Sequence, residues 1–163
     1  MNLLTVEPAT WRDADAIYKL RLKLEADTQE QTGIESDASA DVDAQYFYET
    51  LGWFFDPGKV VFVARADSGI VGYLAAMAAT YVGKAKGISV IGFYVEEPWR
   101  TSSAAKLLLK LATSAVRNSN TKRVQAVIML NNKRMLKAVT RMKFKPVAIV
   151  FDLEVKHGKL IRE

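Results

Sequence analysis

The 163-residue sequence contains no cysteine and a single histidine, His157. The lack of cysteine excludes disulfide bonds, cysteine-ligated zinc and thiol nucleophiles. His157 has no nearby cluster of carboxylates, so we expect no metal site. No segment approaches the roughly 20 apolar residues of a membrane span, and the first stretch carries Glu7, Arg12 and Asp13 instead of an apolar leader. These absences predict one soluble, cytoplasmic domain over residues 1–163, long enough for a single core.

Charge is distributed unevenly along the chain. Residues 1–98 contain 8 Lys or Arg and 15 Asp or Glu, whereas residues 99–163 contain 15 and 3, so the two parts carry −7 and +12. An enzyme that joins a polyanionic donor to a cationic acceptor would benefit from this pattern, because local potential concentrates the matching ligand. Nucleic-acid binding and plain solvated helix faces are the alternatives that charge alone leaves open.

The spacing of apolar residues predicts alternating strands and helices. Strands are expected over residues 2–7, 59–66, 70–81, 88–95, 124–130 and 146–155. Helices are expected from Trp11, around Tyr46, over residues 102–118 and over residues 131–142. The polar, acidic residues 27–43 predict a mobile loop. This order indicates one α/β domain built on a mixed sheet.

The segment between Val95 and Lys106 has the features of an anion site. A buried strand ends at Val95 and a helix follows, so free backbone N–H groups and the positive end of the helix dipole favour a phosphate there. Arg100 and Lys106 add positive charge. The residues between them are all small and permit close approach: Thr101, Ser102, Ser103, Ala104 and Ala105. A well-capped helix without a ligand is the alternative, because Ser and Thr are common N-caps.

This segment resembles the coenzyme A motif of the GNAT N-acetyltransferases. The matching sequence is Phe93-Tyr94-Val95, four residues, then Arg100-Thr101-Ser102-Ser103-Ala104-Ala105. The family motif has Arg or Gln, two residues, Gly, one residue, then Gly or Ala, and phage or prophage members with Arg-Gly-Gly-x-Ala-Ala are the most similar. Thr101 and Ser102 stand where those members keep Gly, and Ser103 stands at the Gly position of the general family motif. Downstream, Asn131-Asn132 and Met142-Lys143-Phe144 resemble the family's Asn and Leu-Gly-Phe, with Lys143 in place of Gly.

The resemblance implies a GNAT-like α/β (α+β) fold and an acetyltransferase activity. It implies a mixed, mostly antiparallel sheet of about six to seven strands with about four flanking helices. The fourth and fifth strands would splay, and pantetheine would bond to backbone near Tyr94 and Val95, where an amide polarises the acetyl carbonyl. Acetyl-coenzyme A would contact Phe93 to Val95, Arg100 to Lys106, Asn131 and Asn132. A primary amine of a small molecule, a protein N-terminus or a lysine would attack the thioester directly.

The two proton-transfer roles depart from the family pattern. Residues 88–94 contain no carboxylate, so Glu96, next to Glu97, is the nearest candidate for the general base. The position of the family's tyrosine acid is occupied by Val139. Tyr94 or Tyr81 would have to replace that acid, or the thiolate would leave unassisted. Glu96 and Tyr94 are therefore the predicted catalytic residues.

Partners are less well determined by the sequence. The acidic residues 27–43 favour a cationic acceptor, and the aromatic residues within 46–55 suit a core, a homodimer surface or an acceptor wall. A GNAT fold that binds coenzyme A or a protein partner without turnover is a second possibility. A nucleic-acid-associated protein is a third, less favoured one, motivated by a basic band near the C-terminus. The band comprises Lys133, Arg134, Lys137, Arg141, Lys143 and Lys145.

Overall fold

The computed structural model describes residues 4–33, 40–80, 86–100, 106–108, 123–128, 132–146, 155–156 and 159–160. The predicted site residues Thr101, Ser102, Ser103, Ala104, Ala105 and Asn131 lie outside these ranges, as do Tyr81 and His157. Across the described ranges no helix is long and apolar enough to cross a membrane. The same ranges contain no group of three or more His, Asp or Glu residues arranged to hold a metal ion.

Within the described ranges, five strands form the central sheet, compared with the expected six to seven. Its strands are β1 (Thr5–Pro8), β2 (Lys59–Ala66), β3 (Gly69–Thr80), β4 (Lys86–Val95) and β5 (Val124–Ala126), and they lie side by side in chain order. The first four strands pair antiparallel, whereas β4 and β5 pair parallel. The tight turn between β2 and β3 makes the predicted hairpin. The α/β class and the mixed, mostly antiparallel sheet are thereby confirmed.

Side chains alternate between the two faces of this sheet and bury two separate cores. On β2, Val61 and Val63 face one side and Phe62 and Ala64 the other, as the period of two along a strand requires. The first core also contains residues from the helices that precede β2. The second core contains Leu108, which lies in the helical residues 106–108.

Helix α1 (Ala14–Thr32) covers the first face, and α2 (Ala40–Gly52) packs against α1. The helix expected from Trp11 is confirmed. Ile17, Leu20 and Leu24 form an apolar stripe along α1, and Ile17 and Leu20 are buried against the sheet. Arg21 joins the two helices: its Nη1 donates to the Thr50 hydroxyl (2.8 Å), and its guanidinium lies 4.6 Å from the Tyr46 and Trp53 ring centroids. The third helix, α3 (Lys133–Arg141), follows β5.

Several predicted boundaries are wrong. Residues 27–32, expected in a mobile loop, complete α1, which ends only where Gly33 adopts φ 68°. The loop prediction weighed polarity over helix propensity, although Glu, Gln and Ala are strong helix formers. Near the C-terminus, β6 (Val155–Lys156) pairs with β7 (Lys159–Leu160) as a separate ribbon that the sequence did not predict. Residues 147–154 of the expected last strand lie outside the described ranges.

Candidate functional site

The parallel strands β4 and β5 separate after a short stretch of pairing. Their register runs from Ile88 opposite Val124 to Val90 opposite Ala126 and continues no further among the described residues. On its other edge β4 has a register shift at the same level, because Ala75 pairs with Gly92 and Ala76 with Val90. The unopposed residue is Ile91, so a β-bulge lies where β4 leaves β5. Bulges bend the strand that carries them, which accounts for the opening.

A cleft of about 240 Å³ occupies this opening. The described part of its lining comes from α1, from β3 and β4, from β5 and the residues after it, and from α3 and the residues after it. The lining residues are Leu24, Glu25, Thr28, Leu74, Val90, Ile91, Gly92, Phe93, Ala126, Val127, Ile128, Asn132, Met135, Val139, Met142 and Phe144. All are uncharged except Glu25. The cleft is therefore an apolar slot with one carboxylate.

The two ends of α3 shape the cleft through local hydrogen bonds. Asn132 caps the helix by accepting a hydrogen bond from the Met135 backbone N–H at 2.9 Å. At the other end, the Phe144 N–H donates to the Val139 carbonyl (3.0 Å) and the Lys143 N–H to the Thr140 carbonyl (2.9 Å), which is a Schellman motif. Lys143 has φ 65° and is the only non-glycine residue with positive φ in the described ranges.

This helix end supports the alignment with the family's Leu-Gly-Phe sequence. In a Schellman motif the first residue after the helix adopts a left-handed conformation, and the next residue donates the long hydrogen bond. Glycine adopts the left-handed conformation without strain. Lys143 occupies this position and carries the corresponding φ. Val139 and Phe144, the residues joined by the long hydrogen bond, both line the cleft.

Arg100, the first residue of the predicted phosphate motif, is held by protein groups. Its Nη2 donates to the Asp27 carboxylate at 2.6 Å, and its Nε donates to the Val95 carbonyl at 2.5 Å. Its guanidinium carbon lies 5.0 Å from the centre of the Tyr94 ring, within cation–π range. Arg100 thus ties the end of α1 to the end of β4.

Glu96, the predicted base, is also engaged. Its carboxylate accepts a hydrogen bond from the Lys23 ammonium and pairs with it. That hydrogen bond is the main reason why the pKa of Lys23 is raised above its ordinary value. Two ion pairs therefore join α1 to the end of β4: Lys23 with Glu96, and Asp27 with Arg100. On each side of this contact the two paired residues lie four positions apart in the sequence.

The structure brings together only some of the predicted site residues. Phe93 and Asn132 line the cleft, whereas Tyr94, Val95 and Glu96 are absent from its described lining. The Tyr94 ring is buried in the core on the α1 side, and Lys106 is exposed. Within the aromatic segment, Trp53 is a core residue, while Tyr48 and Phe55 are exposed. The acceptor-wall prediction is therefore not supported for Trp53.

Two features at the cleft were missed by the sequence analysis. Glu25 lies on the lining face of α1, next to Leu24 of the recognised stripe and three residues before Thr28. Helical spacing would have revealed it, had α1 been extended past residue 27. The second feature is Tyr73 on β3, which is fully buried and whose hydroxyl has no hydrogen-bond partner among the described residues. Burial raises the pKa of Tyr73 well above its ordinary value.

Tyr73 reaches the cleft wall because β4 carries a glycine beside it. A Cβ atom added to Gly92 would lie 2.9 Å from the Tyr73 hydroxyl, so any larger residue would collide with this ring. Gly92 itself lines the cleft. The Tyr73 hydroxyl is therefore placed directly behind the wall, at the level where β5 has diverged. No sequence pattern predicts this contact, because Tyr73 and Gly92 lie on different strands and the ring fits only where Gly92 has no side chain.

Comparisons with known proteins agree with this geometry. The profile of the Acetyltransferase (GNAT) family matches residues 22–144. The acetyl-CoA complex of a predicted acetyltransferase from Clostridium acetobutylicum superposes with a TM-score of 0.74 at 16% identity, covering 93% of this chain and 96% of that one. Aminoglycoside N-acetyltransferase AAC(6')-Iy in complex with CoA gives 0.75 at 14% identity, covering 96% and 97%. The aminoglycoside 6'-N-acetyltransferase AAC(6')-Ih from Acinetobacter baumannii gives 0.73 at 14% identity, covering 96% and 100%.

A search of curated protein sequences finds no significant match. The structural likenesses, all at low identity, show a shared fold, and the family profile spans most of the sequence, including β4, the opening and α3. On this ground the chain belongs to the Acetyltransferase (GNAT) family.

Proposed function

We propose that this protein transfers an acetyl group from acetyl-coenzyme A to a primary amine. The observation that carries the proposal is the cleft between the diverging parallel strands β4 and β5 in a chain of the GNAT family. Solved structures with this fold include complexes with acetyl-CoA and CoA. Because acetyl-CoA is an intracellular metabolite, the cytoplasm is the proposed place of action.

The residues around the cleft suit such a donor. Beyond Val90, the backbone of β4 has no β5 partner among the described residues, so its polar groups can bond to an extended, amide-bearing arm. The apolar lining, including Phe93, suits the arm's hydrocarbon parts. Helix α3 also carries the exposed basic band, beginning at Lys133, which favours a polyphosphate. The Arg100 Nη1 and residues 101–105 are proposed to receive the pyrophosphate.

In this proposal the protein acts mainly by positioning. Bound acetyl-CoA supplies a thioester whose carbonyl carbon accepts a nucleophile. The acceptor amine attacks the thioester directly, which is consistent with the absence of cysteine from the sequence. Helix α1 presents a carboxylate on one side of the cleft, and the divergent end of β4 presents backbone donors for the developing oxyanion. Small cationic amines are the proposed acceptors, by analogy with the aminoglycoside acetyltransferases of the same fold.

The first test is calorimetric titration with acetyl-CoA, followed by addition of a pooled set of primary amines with thiol detection. Binding at micromolar concentration with amine-dependent thiol release is the expected result. The variant Val139→Trp, which fills the cleft, should lose at least tenfold in affinity while its circular dichroism spectrum stays unchanged. Wild-type protein that shows no binding would overturn the proposal.

A second candidate is a GNAT protein that binds coenzyme A without turnover. Two observations favour it: Glu96 is paired with Lys23, and Val139 lines the cleft where the alignment expects a tyrosine. The two candidates separate in the same experiment, since this one predicts binding without thiol release. Similarity to phage-type members, homodimer formation and nucleic-acid binding stay predictions.

A further inference from the structure

Glu25 is the only charged residue among the described residues that line the cleft. It projects from α1, on the sheet face opposite Leu108. An isolated carboxylate in an apolar slot is costly unless it meets a cation or a hydrogen-bond donor. The position of Glu25 therefore requires a reason beyond stability.

The neighbouring carboxylates are held in ion pairs, whereas none is found for Glu25 in the part of the chain that the structure describes. Asp15 pairs with Lys19, and Asp27 with Arg100. Glu25 makes no ion pair with any residue in the described ranges. Arg21, one turn earlier on the same helix, is directed to α2, where it bonds to Thr50.

The Tyr73 hydroxyl lies at the same cleft. Glu25 and Gly92 both line the cleft, and the Tyr73 ring packs against Gly92. The hydroxyl lies against Gly92 and has no partner among the described residues. A half-buried carboxylate and a buried hydroxyl thus lie at the cleft, and a ligand with an N–H group can donate to the carboxylate.

We propose that Glu25 binds the ammonium group of a cationic acceptor at the α1 side of the cleft and removes its proton, with Tyr73 as a positioning residue behind it. The proposal rests on the function proposed above. The acceptor R–NH₃⁺ gives one proton to Glu25 and becomes R–NH₂. The nitrogen then forms a bond to the thioester carbonyl carbon, and the carbon–sulfur bond breaks. The second nitrogen proton passes to the departing thiolate through water, and Glu25 releases its proton to solvent.

Glu25 is assigned this role in preference to Glu96 on two grounds. Glu25 lines the cleft and Glu96 is absent from the described lining. Glu96 is also paired with Lys23, whereas a base must be free to take a proton. The same geometry indicates the class of acceptor. It is an amine whose charged end is narrow enough to enter an apolar slot and reach Glu25.

The test compares Glu25→Gln with Glu30→Gln, a matched change on the exposed face of the same helix. Acetyl-CoA affinity is measured by calorimetry and amine-dependent thiol release by a thiol reagent. We expect Glu25→Gln to keep acetyl-CoA affinity within about twofold and to lower kcat/KM for amines by about 10²- to 10⁴-fold. It should also abolish the acid limb of the pH–rate profile. Glu30→Gln should behave as wild type.

A binding measurement separates this inference from the proposed function. The probes are 1,6-diaminohexane and its neutral counterpart 1,6-hexanediol, titrated into protein saturated with coenzyme A. The diamine should bind wild type at least tenfold more tightly than it binds Glu25→Gln, and the diol should not distinguish the two proteins. The difference in diamine affinity tests the role of Glu25 even if wild type releases no thiol. Absence of thiol release would refute the proposed acetyl transfer but not the binding role of Glu25.

Two outcomes would overturn the assignment of Glu25. The first is equal diamine affinity in wild type and Glu25→Gln. The second is a larger loss of kcat/KM in Glu96→Gln than in Glu25→Gln, which would return the role to Glu96. Tyr73→Phe is expected to lower kcat/KM about tenfold and to shift the acid limb of the pH–rate profile; an unchanged profile would remove Tyr73 from the proposal.

Discussion

Replacing Lys143 by glycine should stabilise the protein. Lys143 holds the left-handed position of the Schellman motif at the end of α3, with φ 65°. A residue with a Cβ atom pays roughly 1–2 kcal/mol for that conformation, because the Cβ crowds the following carbonyl oxygen. Glycine avoids this cost but gives the unfolded chain more freedom, which offsets about 0.4–1 kcal/mol. The net expectation is a rise of about 0.5–1 kcal/mol in the free energy of unfolding.

The measurement is urea and thermal unfolding of wild type, Lys143→Gly and Lys143→Ala. For a chain of this length the gain corresponds to an increase of about 1–4 °C in Tm. Lys143→Ala is the matched control, because it removes the same charge and the same long side chain yet keeps the Cβ. It should show no gain. Lys143 is exposed, so lost packing contributes little to either variant.

Equal stability of the glycine and alanine variants would refute the reasoning. It would mean that the backbone at this position is not left-handed in solution, and the alignment of Lys143 with the family's glycine would lose its structural support. A gain confined to Lys143→Gly would confirm that this helix end is built on the family's pattern. It would also show that lysine here is tolerated at a cost in stability.

Three further predictions concern buried or paired groups. Tyr73→Phe removes a buried hydroxyl that has no partner among the described residues, so the free energy of unfolding should stay equal or rise by about 1 kcal/mol. Tyr48→Phe, at an exposed position, is the control. A clear loss of stability of Tyr73→Phe in urea unfolding would reveal a partner for the Tyr73 hydroxyl. Arg100→Ala should weaken acetyl-CoA binding in calorimetry by about 1–3 kcal/mol, whereas Asp27→Asn, which breaks the same ion pair and keeps the guanidinium, should not; equal losses would mean that Arg100 acts only through α1. Burial alone would raise the pKa of Asp13, but hydrogen bonds from Thr10 and Arg65 lower it below 3.8. Because a lowered pKa stabilises the folded state above that value, the stability gap between wild type and Asp13→Asn should be full at neutral pH and should shrink as pH falls below about 4 in acid titrations of unfolding.

The sequence predicted the sheet better than it predicted the site. Strands such as β2 and β4 carry a strong pattern of apolar residues, and that pattern depends on each strand alone. The cleft depends instead on the bulge at Ile91, which a single chain segment does not encode. The end of α1 was missed because polar residues were taken as a loop, although Gly33 offered a stop signal.

The predicted catalytic residues illustrate the same limit. Glu96 was chosen for its closeness in sequence to the coenzyme A motif, yet it is joined to Lys23 on a distant helix. Glu25 and Tyr73 come from different elements and are brought to the cleft only when the sheet and α1 pack. Closeness along the chain could not show which carboxylate lines the cleft.

The two ion pairs between α1 and the end of β4 also fix the position of α1 along its own axis. On α1 the positive Lys23 precedes the negative Asp27 by one turn. Their partners follow the opposite order of charge, with the negative Glu96 before the positive Arg100. If α1 slid by one turn, like charges would face each other, either two cations or two carboxylates. The pattern therefore penalises a slipped helix and fixes the height of Glu25, which lies between the two anchors. Since partly exposed pairs weaken with ionic strength, concentrated salt should loosen this alignment before it unfolds the protein.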